Sequence, residues 1–208
     1  MNILAIETST PEASLCLLQN GEISYSTEWT SERNHDAHLF PALKEALCRL
    51  GSESPDIILV GAGPGSYGGV RVGLAAAVGI STVKVCPVVS ICSWFGLAQN
   101  GCCIISDAKR GGWTLLRPSG DICVLTTEQL MNELKSGLTV ATVESSELVQ
   151  QKGITVTESA LKPTARNLIT TWISWDAATQ EKLKNTPAEP IYVRPPHITK
   201  AKRKPWEV

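Results

Sequence analysis

The chain has 208 residues, 43% hydrophobic and 19% charged; a chain of this size buries about 70% of its unfolded surface and is too apolar to be a disordered tail. Nineteen Lys and Arg stand against twenty Asp and Glu, a net charge of −1, which excludes the strong uniform field of a protein that grips nucleic acid unaided. The balance is uneven, because residues 194–208 hold Arg194, Lys200, Lys202, Arg203 and Lys204 against Glu207, and a basic tail rides on an acidic body.

The first residues, Met1-Asn-Ile-Leu-Ala-Ile-Glu, lack a basic stretch and meet an acid at Glu7, so no signal peptide is expected and a cytoplasmic location is. Residues 2–7 and 13–18 read as apolar strands, and Asn20-Gly21 is a two-residue hairpin signal leading into a third strand near 22–29. Leu39, Phe40, Leu43, Ala46, Leu47 and Leu50 recur at helical spacing, with Gly51 as the stop signal. Pro41 then requires the first turn of that helix. A strand at 57–61, a glycine-rich turn entering a helix through about residue 82, a strand at 85–90 and a short helix at 91–99 complete a βββαβαβα order. Residues 85–106 carry no charge, but Pro87, Asn100 and Gly101 interrupt them, which argues against a membrane span.

The second half repeats the order. Strands are expected at 102–107, 113–117 and 122–125, a helix capped by Thr127, a strand at 138–143, a short helix from Ser146, a strand at 154–157, and a helix with Pro163 at its first position. Two copies of this order predict a duplicated α/β fold with two central sheets facing each other across a cleft. The expected division is a first lobe at 1–100, a reduced second lobe at 101–184, and a crossing strand (191–194) with a basic arm at 185–208. The seven cysteines include no C-x-x-C pair and lie mostly in apolar runs, as buried thiols of a reducing compartment do.

Glu7 and Asp107 close the first strand of each copy, and both are expected to face the cleft, where Thr8 and Ser9 add hydroxyls. Such a pair can hold a metal–phosphate group, but capping of a loop is the favoured reading of these residues alone. Gly61-Ala-Gly-Pro-Gly-Ser-Tyr-Gly-Gly-Val-Arg-Val-Gly lets backbone approach a partner closely, yet lacks the Lys-Ser/Thr pair of a phosphate loop. Small residues at Gly68, Gly69, Gly73 and Ala76 suit tight helix packing or docking. His35 and His38 lack a third ligand, so no metal site is expected.

Taken together, Ile3-Leu-Ala-Ile-Glu-Thr-Ser-Thr, Arg33-Asn-His-Asp-Ala-His-Leu-Phe-Pro-Ala-Leu, Gly63-Pro-Gly-Ser-Tyr-Gly-Gly-Val-Arg-Val-Gly, Ser106-Asp-Ala-Lys-Arg-Gly and Pro190-Ile-Tyr-Val-Arg resemble the TsaB (YeaZ) family. Tyr67-Gly68 replaces the family's usual Phe-Thr, and Glu7 its usual aspartate. The resemblance implies an actin-like (ASKHA, RNase H-like) duplicated fold. It further implies a non-catalytic subunit of the machinery that places threonylcarbamoyl on adenosine 37 of tRNAs reading codons that begin with A. The implied partners are a TsaD-like transferase, a TsaE-like ATPase, a second copy of the chain when isolated, and tRNA indirectly. The TsaD metal-binding histidine pair has no counterpart in Ser90-Ile-Cys-Ser-Trp-Phe-Gly-Leu-Ala-Gln, so no cofactor is expected on the chain alone; ATP or ADP with Mg at a joint with the partner stays open. The expected docking surface comprises Leu39, Leu43, Gly65, Ser66, Tyr67, Gly68, Gly69, Arg71, Val72, Gly73 and Ala76. The alternative from another class is an actin-like phosphotransferase or hydrolase using Glu7 and Asp107.

Overall fold

The structure is a computed structural model that describes residues 1–31, 35–97, 101–108 and 110–193. Its first half runs β1 (Asn2–Glu7), β2 (Glu12–Gln19), β3 (Glu22–Thr30), α1 (His35–Leu50), β4 (Ile57–Gly61), α2 (Tyr67–Lys84) and β5 (Val88–Ile91). The sheet order is β3-β2-β1-β4-β5, antiparallel across the hairpins and parallel where β1 meets β4 and β4 meets β5. Asn20 and Gly21 both take positive φ, 52° and 88°, the conformation a two-residue hairpin turn needs for its twist to match the strands.

The central strands are apolar throughout because both sheet faces are covered. Leu4, Ile6, Ile58 and Val60 point into one core with Leu39, Leu43 and Ala46 of α1. Ile3, Ala5, Ile57 and Leu59 alternate onto the other face, as the period-two geometry of a strand requires. α1 begins at His35, so Pro41 lies in the second turn rather than the first. Its ring is exposed, and the helix turn that loses a hydrogen bond faces solvent.

The second half contains β6 (Cys103–Asp107), β7 (Gly112–Leu116), β8 (Ile122–Thr126), α3 (Thr127–Lys135), β9 (Val140–Thr142), α4 (Ser146–Gln151), α5 (Ala165–Ser174) and α6 (Ala177–Lys184). Its sheet order, β8-β7-β6-β9, reproduces the first four positions of the larger sheet. The residue capping α3 is Thr126, not Thr127: its hydroxyl accepts from Gln129 N while the Gln129 side chain reaches back, a complete capping box. α5 likewise starts behind Thr164, two residues later than a Pro163 start.

Three other expected elements take different forms. Residues 154–157 form no strand, although Thr157 N donates to Val140 O at 2.8 Å and Thr142 N to Glu158 O at 2.9 Å beside β9. Residues 93–97 are successive turns instead of a helix. Residues 191–193 cross the molecule without a ladder, held by one bond from Ile191 N to Ala62 O at 2.8 Å. Arg194 and the basic arm lie outside the described residues, as do Arg33, Asn34 and Lys109.

Both faces of each sheet are covered, where an open cleft is expected. α5 lays Ala165, Leu168, Ile169 and Trp172 on the first sheet, and Cys92, Trp94 and Leu97 pack against Ile104, Leu116 and Ala141 of the second. An amphipathic helix needs an apolar face to cover, and the open face of β1, β2 and β4 supplies a larger one than the four-stranded sheet. Among the described residues no helix is long and apolar enough to cross a membrane.

Candidate docking site

The glycine-rich segment closes over the end of β1. Thr8 Oγ1 donates to Gly69 O at 2.8 Å, Ser66 N to Ser9 O at 2.6 Å, and Ser93 N to Gly63 O at 2.8 Å, with Gly63 N returning to Ser93 Oγ at 3.0 Å. Ser66 caps α2, its hydroxyl accepting from Gly69 N at 3.3 Å. A Cβ built on Gly61 overlaps the Glu7 carboxyl, one on Gly65 overlaps Ser9 O, and one on Gly73 overlaps Thr8 Oγ1. These glycines therefore serve close approach within the chain.

Glu7, Thr8 and Ser9 are completely buried. Glu7 Oε1 accepts from Ser9 N at 2.7 Å, and the Ser9 and Ser93 hydroxyls lie beside the carboxyl. This corrects the expectation that Glu7 faces an open cleft: Gly61 lies against it, and the carboxyl locks the loop. Burial raises its pKa above the ordinary value of 4.5, because desolvation penalises the charged form. The folded chain therefore holds this proton more tightly than the unfolded chain does. The stabilisation is complete below about pH 4.5 and is lost as pH rises through the raised folded value. Glu7→Gln, which stays neutral in the same volume, is expected to flatten that decline and to be more stable than the parent above it. Thermal melts of both forms from pH 4 to 8 (a window around the unperturbed value) check this; parallel curves contradict it.

Asp107 is half-buried on the second sheet, its N–H donating to Glu144 Oε1 at 2.9 Å, with Ser106 Oγ on the same oxygen at 2.7 Å. Glu7 thus binds the backbone of its own loop, and the end of β6 is held by the Glu144 carboxylate that follows β9. A nucleotide–metal group does not fit at Glu7, whose carboxyl is sealed.

The surface that stands open lies on α1 and α2. Phe40, Leu43 and Leu47 of α1 and Val72, Ala76 and Ile80 of α2 line a groove of about 1060 Å³, together with the exposed Cys48, Gly51, Ala75 and Gly79. Phe40 is 57% exposed. Among the described residues Lys44 is the one charged residue in the lining. Among the expected docking residues, Val72, Ala76 and Leu43 line this groove. Gly65, Ser66, Tyr67, Gly68 and Arg71 are exposed beside it. Leu39, Gly69 and Gly73 are buried, and their smallness or apolarity serves the chain's own core. Phe40, Lys44, Leu47, Cys48, Ala75, Gly79 and Ile80 are additions. Cys48, expected among the buried thiols, is exposed. Phe40 and Leu47 stand on a second apolar stripe three to four residues apart on α1, a pattern visible in the sequence that reads as core.

The model of the family TsaD: tRNA N6-adenosine threonylcarbamoyltransferase matches residues 28–117, the stretch that holds α1, β4 and α2. A tRNA threonylcarbamoyladenosine biosynthesis protein TsaB of Haemophilus influenzae is 36% identical over 101 residues, covering 48% of this chain and 42% of that protein. Its Escherichia coli counterpart is 32% identical over 102 residues, covering 48% and 44%. The chain thus spans about half the length of the curated relatives it matches. YeaZ from Pseudomonas aeruginosa superposes with a TM-score of 0.70 at 20% identity, over 92% of this chain and 99% of that one. Two related mixed sheets, the larger in the order β3-β2-β1-β4-β5, define a duplicated α/β protein of the actin-like, RNase H-like class. Within that class the chain is similar to the TsaB (YeaZ) family over about half of its length.

Proposed function

We propose that this chain is a non-catalytic subunit that docks on a TsaD-like transferase through the α1/α2 groove and activates threonylcarbamoyl transfer to adenosine 37 of tRNA. The groove carries the reading. An open apolar channel flanked by two helices is a surface a monomer rarely leaves bare, and it accepts an apolar helical ridge. Support also comes from the TsaD family match, which covers the same helices: two chains with similar helix pairs join as a pseudo-symmetric dimer does. Self-association of the isolated chain uses this face in the partner's absence.

In this reading the chemistry belongs to the transferase. Glu7 is sealed and holds the loop that positions α2, so a nucleotide with Mg, and a TsaE-like ATPase, act on the assembled complex in the cytoplasm rather than on this chain alone. Contact with tRNA is indirect. The test is reconstitution of the modification from purified components. Omitting this chain is expected to lower the rate by at least about tenfold, and the chain alone is expected to modify nothing. A rate unchanged by omission contradicts the proposal.

A further inference from the structure

Beside the groove, at the N-terminal end of α2, Tyr67 and Arg71 of that helix and the distant Tyr192 form one exposed cluster. Tyr67 and Tyr192 stack with ring centroids 5.1 Å apart and planes at 29°. The Arg71 guanidinium lies 5.0 Å over the Tyr67 ring, and its Nη1 donates to the Tyr67 hydroxyl at 3.0 Å. The tyrosines remain 47% and 44% exposed. Tyr192 is held there by its own strand of chain: Glu189 N donates to Ser90 Oγ at 3.3 Å, Ile191 N to Ala62 O at 2.8 Å, and the Ile191 side chain packs beside Cys92 and Trp94.

We infer that the docking face extends from the groove onto this Arg71–Tyr67–Tyr192 cluster, and that it takes a partner protein presenting a carboxylate to Arg71. Arg71 precedes Ala75 by one turn and adjoins Val72, so the cluster and the groove are continuous. Guanidinium carries five N–H donors in a fixed fork, and among the described residues only Nη1 is engaged, with Tyr67. The remaining donors match a carboxylate in two-point contact. Stacking already restricts the Arg71 and Tyr67 side chains, which lowers the ordering cost of docking. Tyr and Arg are also the residue types that dominate interface energies.

Charge selects the occupant. Among the described residues neither Arg71 nor Lys44 pairs with a carboxylate and no acid lines the groove. A second copy, related by a two-fold axis, brings this cationic rim against its own image. A transferase chain with acidic side chains flanking its ridge has complementary charge instead.

The inference rests on the docking reading, and the experiment separates the two. The TsaD-like transferase is titrated calorimetrically with the parent chain, Tyr192→Ala, Tyr192→Phe, Arg71→Glu and the groove variant Gly79→Arg. Tyr192→Ala and Arg71→Glu are each expected to weaken binding by about tenfold or more, Tyr192→Phe by less than about twofold, and added salt to weaken the parent more than Arg71→Glu. If Tyr192→Ala and Arg71→Glu bind like the parent while Gly79→Arg does not bind, the cluster is outside the interface and the groove reading stands. If Gly79→Arg binds like the parent, the docking reading fails and this inference falls with it. Self-association tighter than binding to the transferase, measured by sedimentation, overturns the choice of occupant.

Discussion

Gly73→Leu is expected to lower the melting temperature by about 10 °C or more and to leave little folded protein in expression at 37 °C. Gly73 is buried where α2 crosses β1, and even a Cβ there overlaps Thr8 Oγ1. Thr8 has no room to retreat: it is completely buried and donates to Gly69 O at 2.8 Å. Overpacking of this kind costs about 1–3 kcal/mol. Forcing Thr8 off its acceptor orphans a buried hydroxyl for about 1–3 kcal/mol more. The gain in helix propensity on replacing glycine, about 0.5–1 kcal/mol, does not offset these losses. Calorimetric melts check the prediction, and a variant that melts with the parent contradicts it. Such a substitution destroys the fold before it can report on docking.

Gly79, two turns further along the same helix, predicts the opposite separation. A Cβ at Gly79 has nothing within 4 Å, and the exposed residue lines the groove. Gly79→Arg is therefore expected to keep or raise the melting temperature, since arginine favours the helix over glycine by about 0.5–1 kcal/mol. In the free chain the new guanidinium extends into water. In the complex it must be buried against an apolar ridge near Lys44, an unpaired charge expected to weaken docking by about 100-fold or more.

These two glycines show where sequence reasoning stops. Both look alike in Gly-Val-Arg-Val-Gly-Leu-Ala-Ala-Ala-Val-Gly: small residues on a helix suit either tight internal packing or an open surface. Only the position of Thr8 against one of them separates the cases. The elements of the first half were legible because their signals are local, namely the Asn20-Gly21 turn, the period-two alternation of 2–7 and 13–18, and the helical recurrence from Leu39 to Leu50. The destination of α5 was not. The spacing of Leu168, Ile169 and Trp172 defines an apolar face without saying which sheet it covers, and the first sheet takes it.

The site was legible in the same uneven way. A carboxylate at a strand end reads identically whether it faces a cleft or is sealed beneath a glycine, and the backbone path that brings Gly61 against Glu7 is a tertiary fact. The α1/α2 face was indicated by its small residues, but its lining includes Phe40 and Leu47, which apolar periodicity assigned to the core. Tyr67 and Tyr192 stand 125 positions apart in sequence, and nothing in their spacing announces that they stack at a centroid distance of 5.1 Å.

The most direct test of docking through the groove is the calorimetric titration of a TsaD-like transferase with the parent chain and with Gly79→Arg, both first shown to melt as folded proteins. The groove account predicts parent binding tighter than about 10 µM and no detectable binding by the variant. Equal binding by the two, with both folded, contradicts it.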